Sequence, residues 1–596
     1  MFFWVIFSAT SYILEPDTNF YMDQDPINIY VNPIQSTNRL ITYSYSTFNL
    51  FCQATQQEQF SSFTQNLIGE SFEISPISLV LNNNENCHYI CRKTYTQEQK
   101  EILYFLIDNH YKMKMKADNI PMTVDVGTDD NGFPIYTNGY NIGFRENSMK
   151  KHGLIPGYHY LTTHLNITIY LLKDINLGTY TITRFQIVPI SHLYQAPCVF
   201  EYASALENTT DVVYSYSVNF LVDDNLKNEN RFYSHVKYHY HIPLNRDQYL
   251  LTSIISMIII VSGIIYIIKT IFGFHNKLQS ESSTLEVISR DIFRGPKNQV
   301  TLSIFVSSGL TAFAIISIIL LLLSLNFFGP AKYDSIIKVL IILYLLFSPI
   351  LAFLYTYFYI LMGGMNWRRL TVLSLFSQLI FVCVIFGSQH LQSVIYESSG
   401  TISFKRFCIL FGFLAFSFII QLITVFLTII FRLYKRPIES NLIPRKIPFK
   451  PIFLFSEAVE NIVGFVTYVI ISPIFHSILN SFWEKYVLFG VFHFLIFDYL
   501  KMLFVSSVIT MVFIIIKLKK ADYEWWWISF KAPAHTSVII FLGSVRYWMK
   551  NMNTFDQDNA FIFFFNIFIF IFFVGIINGG FGFLLSLFLL RILYKQ

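Results

Sequence analysis

A long apolar stretch, residues 250–593, constrains this chain more than any other feature. Within it, runs of Ile, Leu, Phe and Val are separated by short polar breaks, and runs such as residues 315–325 carry no charge. With their flanks, these runs reach the roughly 20 apolar residues that a helix needs to cross the hydrocarbon core of a bilayer. We therefore expect residues 250–596 to form a polytopic α-helical membrane domain.

Lys and Arg collect in alternate breaks of this stretch, for example at Arg368 with Arg369 and at Lys519 with Lys520. Because basic residues favour the cytosolic face, these breaks are expected in the cytosol. An odd number of spans then places the preceding domain in the lumen and a short C-terminal tail in the cytosol. The nine predicted spans are residues 250–271, 300–326, 335–362, 370–391, 407–431, 452–479, 486–516, 534–549 and 560–590.

The first part of the chain has a different pattern. Residues 1–11 combine an apolar run with small residues at Ala9 and Ser11, which is typical of a signal peptide, although no Lys or Arg precedes the run and an N-terminal strand is the alternative. Residues 12–249 show short stretches of period-two alternation separated by turn residues, including 165–170 and 180–187. This alternation predicts a mainly β, sandwich-like lumenal or extracellular domain, with one helix near residues 96–110.

Cysteines and glycosylation sequons support an oxidising compartment for that domain. It contains four of the six cysteines of the chain, and its sequons place candidate glycans on Asn166 and Asn208. Four cysteines allow three pairings, and the sequence does not choose among them. Cys383 and Cys408 lie in apolar runs and are expected to be buried thiols. The disulfide candidates are Cys52, Cys87, Cys91 and Cys198.

The polar breaks carry a family resemblance. They are similar, in the same order, to the transmembrane 9 superfamily, the nonaspanins, and the similarity extends from about Tyr12 to Tyr594. Motifs of the β-rich part, such as Asp118-Asn119-Ile120-Pro121, agree with it. The motifs that carry it in the membrane domain are Arg290-Asp291-Ile292-Phe293-Arg294-Gly295-Pro296, Gly363-Gly364-Met365-Asn366-Trp367, Lys435-Arg436-Pro437-Ile438-Glu439, Asn480-Ser481-Phe482-Trp483 and Asp522-Tyr523-Glu524-Trp525-Trp526-Trp527.

This resemblance implies a function that composition alone does not. Members of the family are expected in Golgi and endosomal membranes, where they assist the sorting of other membrane proteins and bind transmembrane segments of their cargo. Coat proteins are a further implied partner, but the chain ends in Tyr594-Lys595-Gln596 and lacks the terminal acidic residue of the family's coat-recruiting tail. The lipid bilayer is the partner that the apolar stretch itself predicts.

Small residues in the last predicted span form a candidate helix-contact face. Gly575 and Gly579 are four residues apart, and Gly580 and Gly582 extend the pattern. Such spacing lets another helix backbone approach closely. The partner is either a helix of the same bundle or a transmembrane segment of cargo, and the sequence leaves both open.

Ionisable residues in the seventh predicted span form a second candidate site. His493, Asp498 and Lys501 interrupt an apolar run, and the last two are three residues apart and can pair on one helix face. A structural ion pair and a proton or ion relay are both compatible with this spacing. The relay would make the protein an ion or solute transporter, which is the competing function.

A third candidate lies where the seventh span ends. Trp525, Trp526 and Trp527 follow basic residues at a span boundary, where aromatic rings settle at headgroup depth, so we expect an interface anchor. Asp522 beside them is a candidate for a contact with cargo, with lipid, or with Arg445 or Lys446.

Catalytic and nucleic-acid-binding signatures are missing from the sequence. It contains no His-Glu-x-x-His helix, no Gly-x-Ser-x-Gly elbow and no phosphate-binding glycine loop. Lys and Arg are scattered and the net charge of +5 is modest, which argues against nucleic acid as a partner. We expect a non-enzymatic protein without a cofactor or a metal centre.

Overall fold

The computed structural model describes most of the chain, and the expectations for the signal peptide (1–11) and for Cys198 lie outside the described residues. So does the side chain of His493, although its backbone is helical. The described residues are 19–36, 38–54, 72–118, 120–128, 134–137, 139–145, 154–174, 178–191, 205–222, 246–280, 291–325, 327, 333–398, 404–431, 455–480, 487–551 and 557–594.

Fifteen strands and one helix form the first part of the described chain, referred to below as the β domain. Helix α1 spans Gln97–Asp108 and begins at a capping box, in which the Thr96 hydroxyl and the Gln99 side chain each accept from the other residue's backbone N–H. The strands are β1 (Pro26–Val31), β2 (Gln35–Ser36), β3 (Glu73–Val80), β4 (Glu85–Thr94), β5 (Tyr111–Met113), β6 (Met115–Ala117), β7 (Ile120–Pro121), β8 (Val124–Thr128), β9 (Pro134–Thr137), β10 (Tyr140–Asn141), β11 (Gly143–Arg145), β12 (His159–Leu161), β13 (His164–Lys173), β14 (Tyr180–Ile190) and β15 (Asp211–Val222).

Two four-stranded sheets supply most of the core of the β domain. One has the order β14-β13-β15-β4, with β13 and β15 parallel, and the other has the order β3-β1-β6-β7. The predicted alternation holds in β13, where Leu165, Ile167, Ile169 and Leu171 are buried and the residues between them are more exposed. These side chains join those of β1, such as Ile29, in one hydrophobic cluster. A mainly β domain is therefore confirmed.

A disulfide joins β4 to the segment before residue 55. It joins Cys52 to Cys91, whose Cα atoms are 6.0 Å apart. Cys87 is also disulfide-bonded. The expectation for Cys383 and Cys408 is wrong, because both thiols are free and exposed on the surface of the helical part. An apolar run does not reveal which of its residues face protein and which face lipid.

The helical part confirms the predicted membrane class, because the described residues contain nine helical segments that are long and apolar enough to cross a bilayer. Helices α9 and α10 together form the eighth of these segments. The helices are α2 (Arg246–Ser280), α3 (Gln299–Ser324), α4 (Tyr333–Leu361), α5 (Trp367–Ile395), α6 (Phe404–Ile430), α7 (Ser456–Asn480), α8 (Val487–Lys519), α9 (Trp526–Ala534), α10 (Thr536–Asn551) and α11 (Gln557–Leu593).

The eighth span differs from its prediction as residues 534–549. It begins earlier, at Trp526, and is interrupted between α9 and α10 at His535. Pro533 accounts for the break, since its nitrogen cannot donate and its ring disfavours a continuous helix. The predicted span contained only the part after the break.

The β domain contacts the helical bundle at the beginning of α11. The Asn559 side chain accepts a hydrogen bond from the Leu40 N–H (2.9 Å) and donates to the Asn38 carbonyl (3.2 Å). Beside it, the Tyr396 hydroxyl donates to Asp558 (3.1 Å). We call this end of the bundle, where α11 begins and α5 ends, the proximal end, and the opposite end the distal end.

The two sequons differ in their surroundings, which predicts a single glycan. Asn166 lies in the interior strand β13, and its side-chain oxygen accepts from the Ser217 hydroxyl (3.2 Å), which also contacts His164 (3.2 Å). Asn208 is exposed in a short 3-10 turn, Leu206–Asn208. We expect the Asn208→Gln variant to lose a glycosidase-sensitive shift in electrophoretic mobility and Asn166→Gln to keep it. Loss of the shift in Asn166→Gln alone would contradict this assignment.

Candidate functional site in the helix bundle

The glycine face of α11 is filled by helices of the same bundle. Gly575, Gly579, Gly580 and Gly582 are all buried. A Cβ atom on Gly579 would lie 2.8 Å from the backbone oxygen of Phe530 in α9, and one on Gly580 would lie 3.1 Å from the backbone of Gly309 in α3. These contacts leave no space for a helix of another protein. The partner of this face in the structure is therefore the bundle itself, and not a transmembrane segment of cargo.

Asn578, within the same face, is the polar centre of the bundle. Its side chain donates to the Pro533 carbonyl (2.8 Å) and the Thr536 hydroxyl (3.2 Å), and it accepts from the Ser506 hydroxyl (2.7 Å). Asn578 is fully buried, about 20 Å along α11 from Arg591 at about 1.5 Å per residue. It therefore joins α8 and α11 to the break in the eighth span.

The hydrogen bonds of Asn578 were not predicted from the sequence. An asparagine inside a long apolar run is costly unless it is hydrogen-bonded, so the position of Asn578 could have indicated a buried polar contact. Its partners are a backbone carbonyl and two hydroxyls from two other spans, and the sequence gives no indication of that contact.

The tryptophan triplet is hydrogen-bonded to a neighbouring segment of backbone, and its role as an interface anchor stays a prediction. Trp525 and Trp526 are 1% and 4% exposed and lie in the protein core. The three indole N–H groups donate in turn to three backbone carbonyls of the segment before α3. The pairs are Trp525 with Ile292 (2.9 Å), Trp526 with Arg294 (2.9 Å) and Trp527 with Lys297 (2.8 Å).

Asp522 forms an ion pair and a hydrogen bond within the turn between α8 and α9. Its carboxylate pairs with the Lys517 ammonium (3.1 Å), and both side chains are almost fully buried. Its other oxygen accepts from the Glu524 N–H (3.1 Å). A contact with cargo or lipid through Asp522 is therefore not supported by the structure. Arg445 and Lys446 lie outside the described residues.

Asp498 and Lys501 form an ion pair within α8, on the side that contacts α2. The Lys501 ammonium contacts the Asp498 carboxylate, donates to the Ser253 hydroxyl (3.1 Å) and lies 4.5 Å from the centre of the Tyr249 ring. Asp498 is 3% exposed, and its second carboxylate oxygen is buried with no hydrogen-bond partner among the described residues.

The depth of this pair favours a structural role over a relay. Lys519 is exposed at the distal end of α8, and Asp498 is about 31 Å from it at about 1.5 Å per residue. That distance equals the thickness of the hydrocarbon core, so the pair lies at its proximal edge, where a charge is less costly than at the midplane. The described residues contain no group of three or more His, Cys, Asp or Glu side chains that could hold a metal ion.

The bundle is packed unevenly. In α3, α7 and α8, half or slightly more of the apolar window is buried within the protein, whereas the share is 17% in α4 and α5 and 28% in α6. Hydrogen bonds between polar side chains join these three less buried helices. Gln378 of α5 and Gln421 of α6 exchange two hydrogen bonds of 3.0 Å, and the Tyr344 hydroxyl of α4 donates to Gln378 (2.8 Å).

Two glycines remain open on this loosely packed side. Gly387 of α5 and Gly412 of α6 are exposed, and a Cβ atom on either would meet nothing within 4 Å. Each lies about 12 Å from the proximal end of its helix, at Ile395 and Phe404, so the two glycines are at similar depth. Another helix could approach closely at both positions.

The family model and the curated relatives that this chain matches indicate the same family. The family model described as "Endomembrane protein 70" (EMP70) matches residues 42–557. Human transmembrane 9 superfamily member 2 is 25% identical over 94% of this chain and 88% of its own length. Transmembrane 9 superfamily member 10 of Arabidopsis thaliana is 23% identical over 96% and 94%, and member 4 of Mus musculus is 23% identical over 97% and 94%. No solved structure matches.

A structural role for the ion pair predicts non-additive losses of stability. Lys501→Ala leaves the buried Asp498 carboxylate unpaired, which costs about 3–5 kcal/mol, whereas the double variant Asp498→Ala, Lys501→Ala removes both charges and should be less destabilised. Thermal unfolding of the purified proteins measures this difference. Additive losses would contradict the pairing. A relay instead requires that Asp498→Asn abolish a solute or ion flux without changing the melting temperature.

Proposed function

This chain belongs to the endomembrane protein 70 family of transmembrane 9 superfamily proteins, and we propose that it sorts other membrane proteins as a non-enzymatic receptor or chaperone. It is an integral endomembrane protein, with lipid contact along the nine apolar helical segments found among its described residues. The proposed cargo is the transmembrane segment of another protein, and the proposed compartments are the Golgi and endosomes.

The observation that carries this proposal is the open surface of α5 and α6 around Gly387 and Gly412. Helices associate in lipid through close backbone packing, and small residues permit it. The glycine face of α11 is already occupied, whereas these two glycines face outward at a common depth. A cargo helix that crosses the bilayer beside α5 and α6 would meet both of them.

The distribution of charge supports an orientation. The breaks rich in Lys and Arg adjoin the distal end, where α5 begins and α8 ends, so we assign that end to the cytosol. The β domain, with its disulfide and sequons, is then lumenal. The same orientation applies to the competing transporter function, but Asp498 at the proximal edge, paired with Lys501, lacks the midplane position typical of transport sites.

Leucine substitutions on the open surface test the proposal. In cells that lack the protein, we expect Gly387→Leu with Gly412→Leu to reach normal levels but to bind cargo helices about tenfold more weakly, a loss of about 1.4 kcal/mol. Cargo should therefore remain mislocalised, as measured by quantitative proteomics of surface-labelled proteins.

Gly273→Leu is the matched control, because Gly273 in α2 is also exposed with nothing within 4 Å. It should restore the wild-type distribution of cargo. Full restoration by the double variant as well, or an unchanged surface proteome in cells without the protein, would contradict the proposed function.

A further inference from the structure

The β domain has an apolar groove with an acidic rim, between α1 and the loop of residues 43–48. It has a volume of about 370 Å³. Glu98 and Glu101 lie along its rim and are exposed to solvent. Two of its aromatic rings, Tyr43 and Phe48, are in edge contact with centroids 5.2 Å apart. Its apolar lining consists of Tyr43, Phe48, Ile102, Phe105 and Leu106.

This groove lies beside the proximal end of the bundle. The pKa of the Tyr43 phenol is raised, mainly by burial and further by the carboxylates of Asp558 and Glu397. Asp558 is at the beginning of α11, and Glu397 comes two residues after the end of α5. The backbone of Leu40, three residues before Tyr43, is hydrogen-bonded to Asn559. One wall of the groove is therefore close to the beginning of α11 and the end of α5.

Negative charge dominates the surroundings of the groove. Four carboxylates, of Glu98, Glu101, Glu397 and Asp558, lie on its rim or near Tyr43. Two neighbouring cations are already engaged: the Lys93 ammonium donates to Asn49, the residue after Phe48, and the Arg39 guanidinium contacts α1. The guanidinium lies 4.6 Å from the centre of the Phe105 ring and donates to the Asn109 side chain (3.1 Å). A ligand of complementary charge would be basic.

We propose that this groove binds a basic segment of the cargo protein immediately outside the membrane, on the lumenal side of its transmembrane helix. The inference rests on the proposed function and extends it to a second contact. A helix packed against Gly387 and Gly412 would leave the bilayer beside Glu397, within reach of the groove. Lys and Arg would pair with the carboxylates, and an apolar neighbour would enter the aromatic lining.

This contact would give the protein selectivity among cargo helices. Basic residues are enriched on the cytosolic flank of most spans and are less common on the lumenal flank. A groove that prefers a basic lumenal flank would therefore distinguish a minority of membrane proteins, whereas contact with glycines alone discriminates weakly between apolar helices.

The experiment measures how tightly two synthetic peptides bind to the full-length protein in lipid nanodiscs. Both contain the same apolar 22-residue helix, and their lumenal flank is Lys-Arg-Lys in one and Gln-Ser-Gln in the other. We expect the basic peptide to bind about tenfold more tightly at low salt, with a smaller difference at high salt, because exposed charge pairs are screened. The Glu98→Gln, Glu101→Gln variant should lose most of that preference. The control, Asp23→Asn, removes an exposed carboxylate of the same domain outside the groove and should keep it.

A photoreactive residue in the basic flank locates the contact. Crosslinking to a fragment that contains α1 supports the groove, and crosslinking only to other fragments overturns it. Equal binding of the two peptides, or an unchanged preference in the double variant, also overturns the groove but leaves the proposed function intact. If the wild-type chain binds neither peptide, the failure is that of the proposed function itself.

Discussion

The hydrogen bonds of Asn578 are the interaction on which the arrangement of the bundle depends. A break in a membrane-spanning helix exposes backbone groups that have no water to bind, so it persists only where protein groups satisfy them. Asn578 supplies a donor to the Pro533 carbonyl at the break and is itself bound by Ser506. One side chain therefore fixes the eighth span against both α8 and α11.

That constraint determines which surfaces of the bundle remain available. Because α9 must lie close to Asn578, the glycines of α11 are packed against it and against α3. At the distal end, the three indoles that follow α8 donate hydrogen bonds to the backbone before α3 and so hold α9 beside α3. The side formed by α4, α5 and α6, which are joined through Gln378 and Gln421, remains open, as does the outer surface of α2. Binding is thus expected at the loosely packed side, next to a rigid core.

The class of the protein could be predicted from the sequence, whereas the use of individual residues could not. Runs of apolar residues and period-two alternation depend only on burial, in lipid or in protein, so they predicted the membrane helices and the main strands. The same runs do not distinguish protein from lipid as the neighbour. For that reason, Gly579 could be described as a contact face without its partner, the protein neighbours of Trp525 could not be named, and Cys383 was expected to be buried.

The central claim is that cargo helices meet the protein on α5 and α6. Site-specific photocrosslinking in native membranes tests it most directly, with the photoreactive residue at Val384 in α5 or at Met257 in α2, which are 51% and 66% exposed. The account predicts crosslinks to other membrane proteins from Val384 and mainly lipid adducts from Met257. Equal crosslinking from the two positions, or protein partners only at Met257, would contradict it.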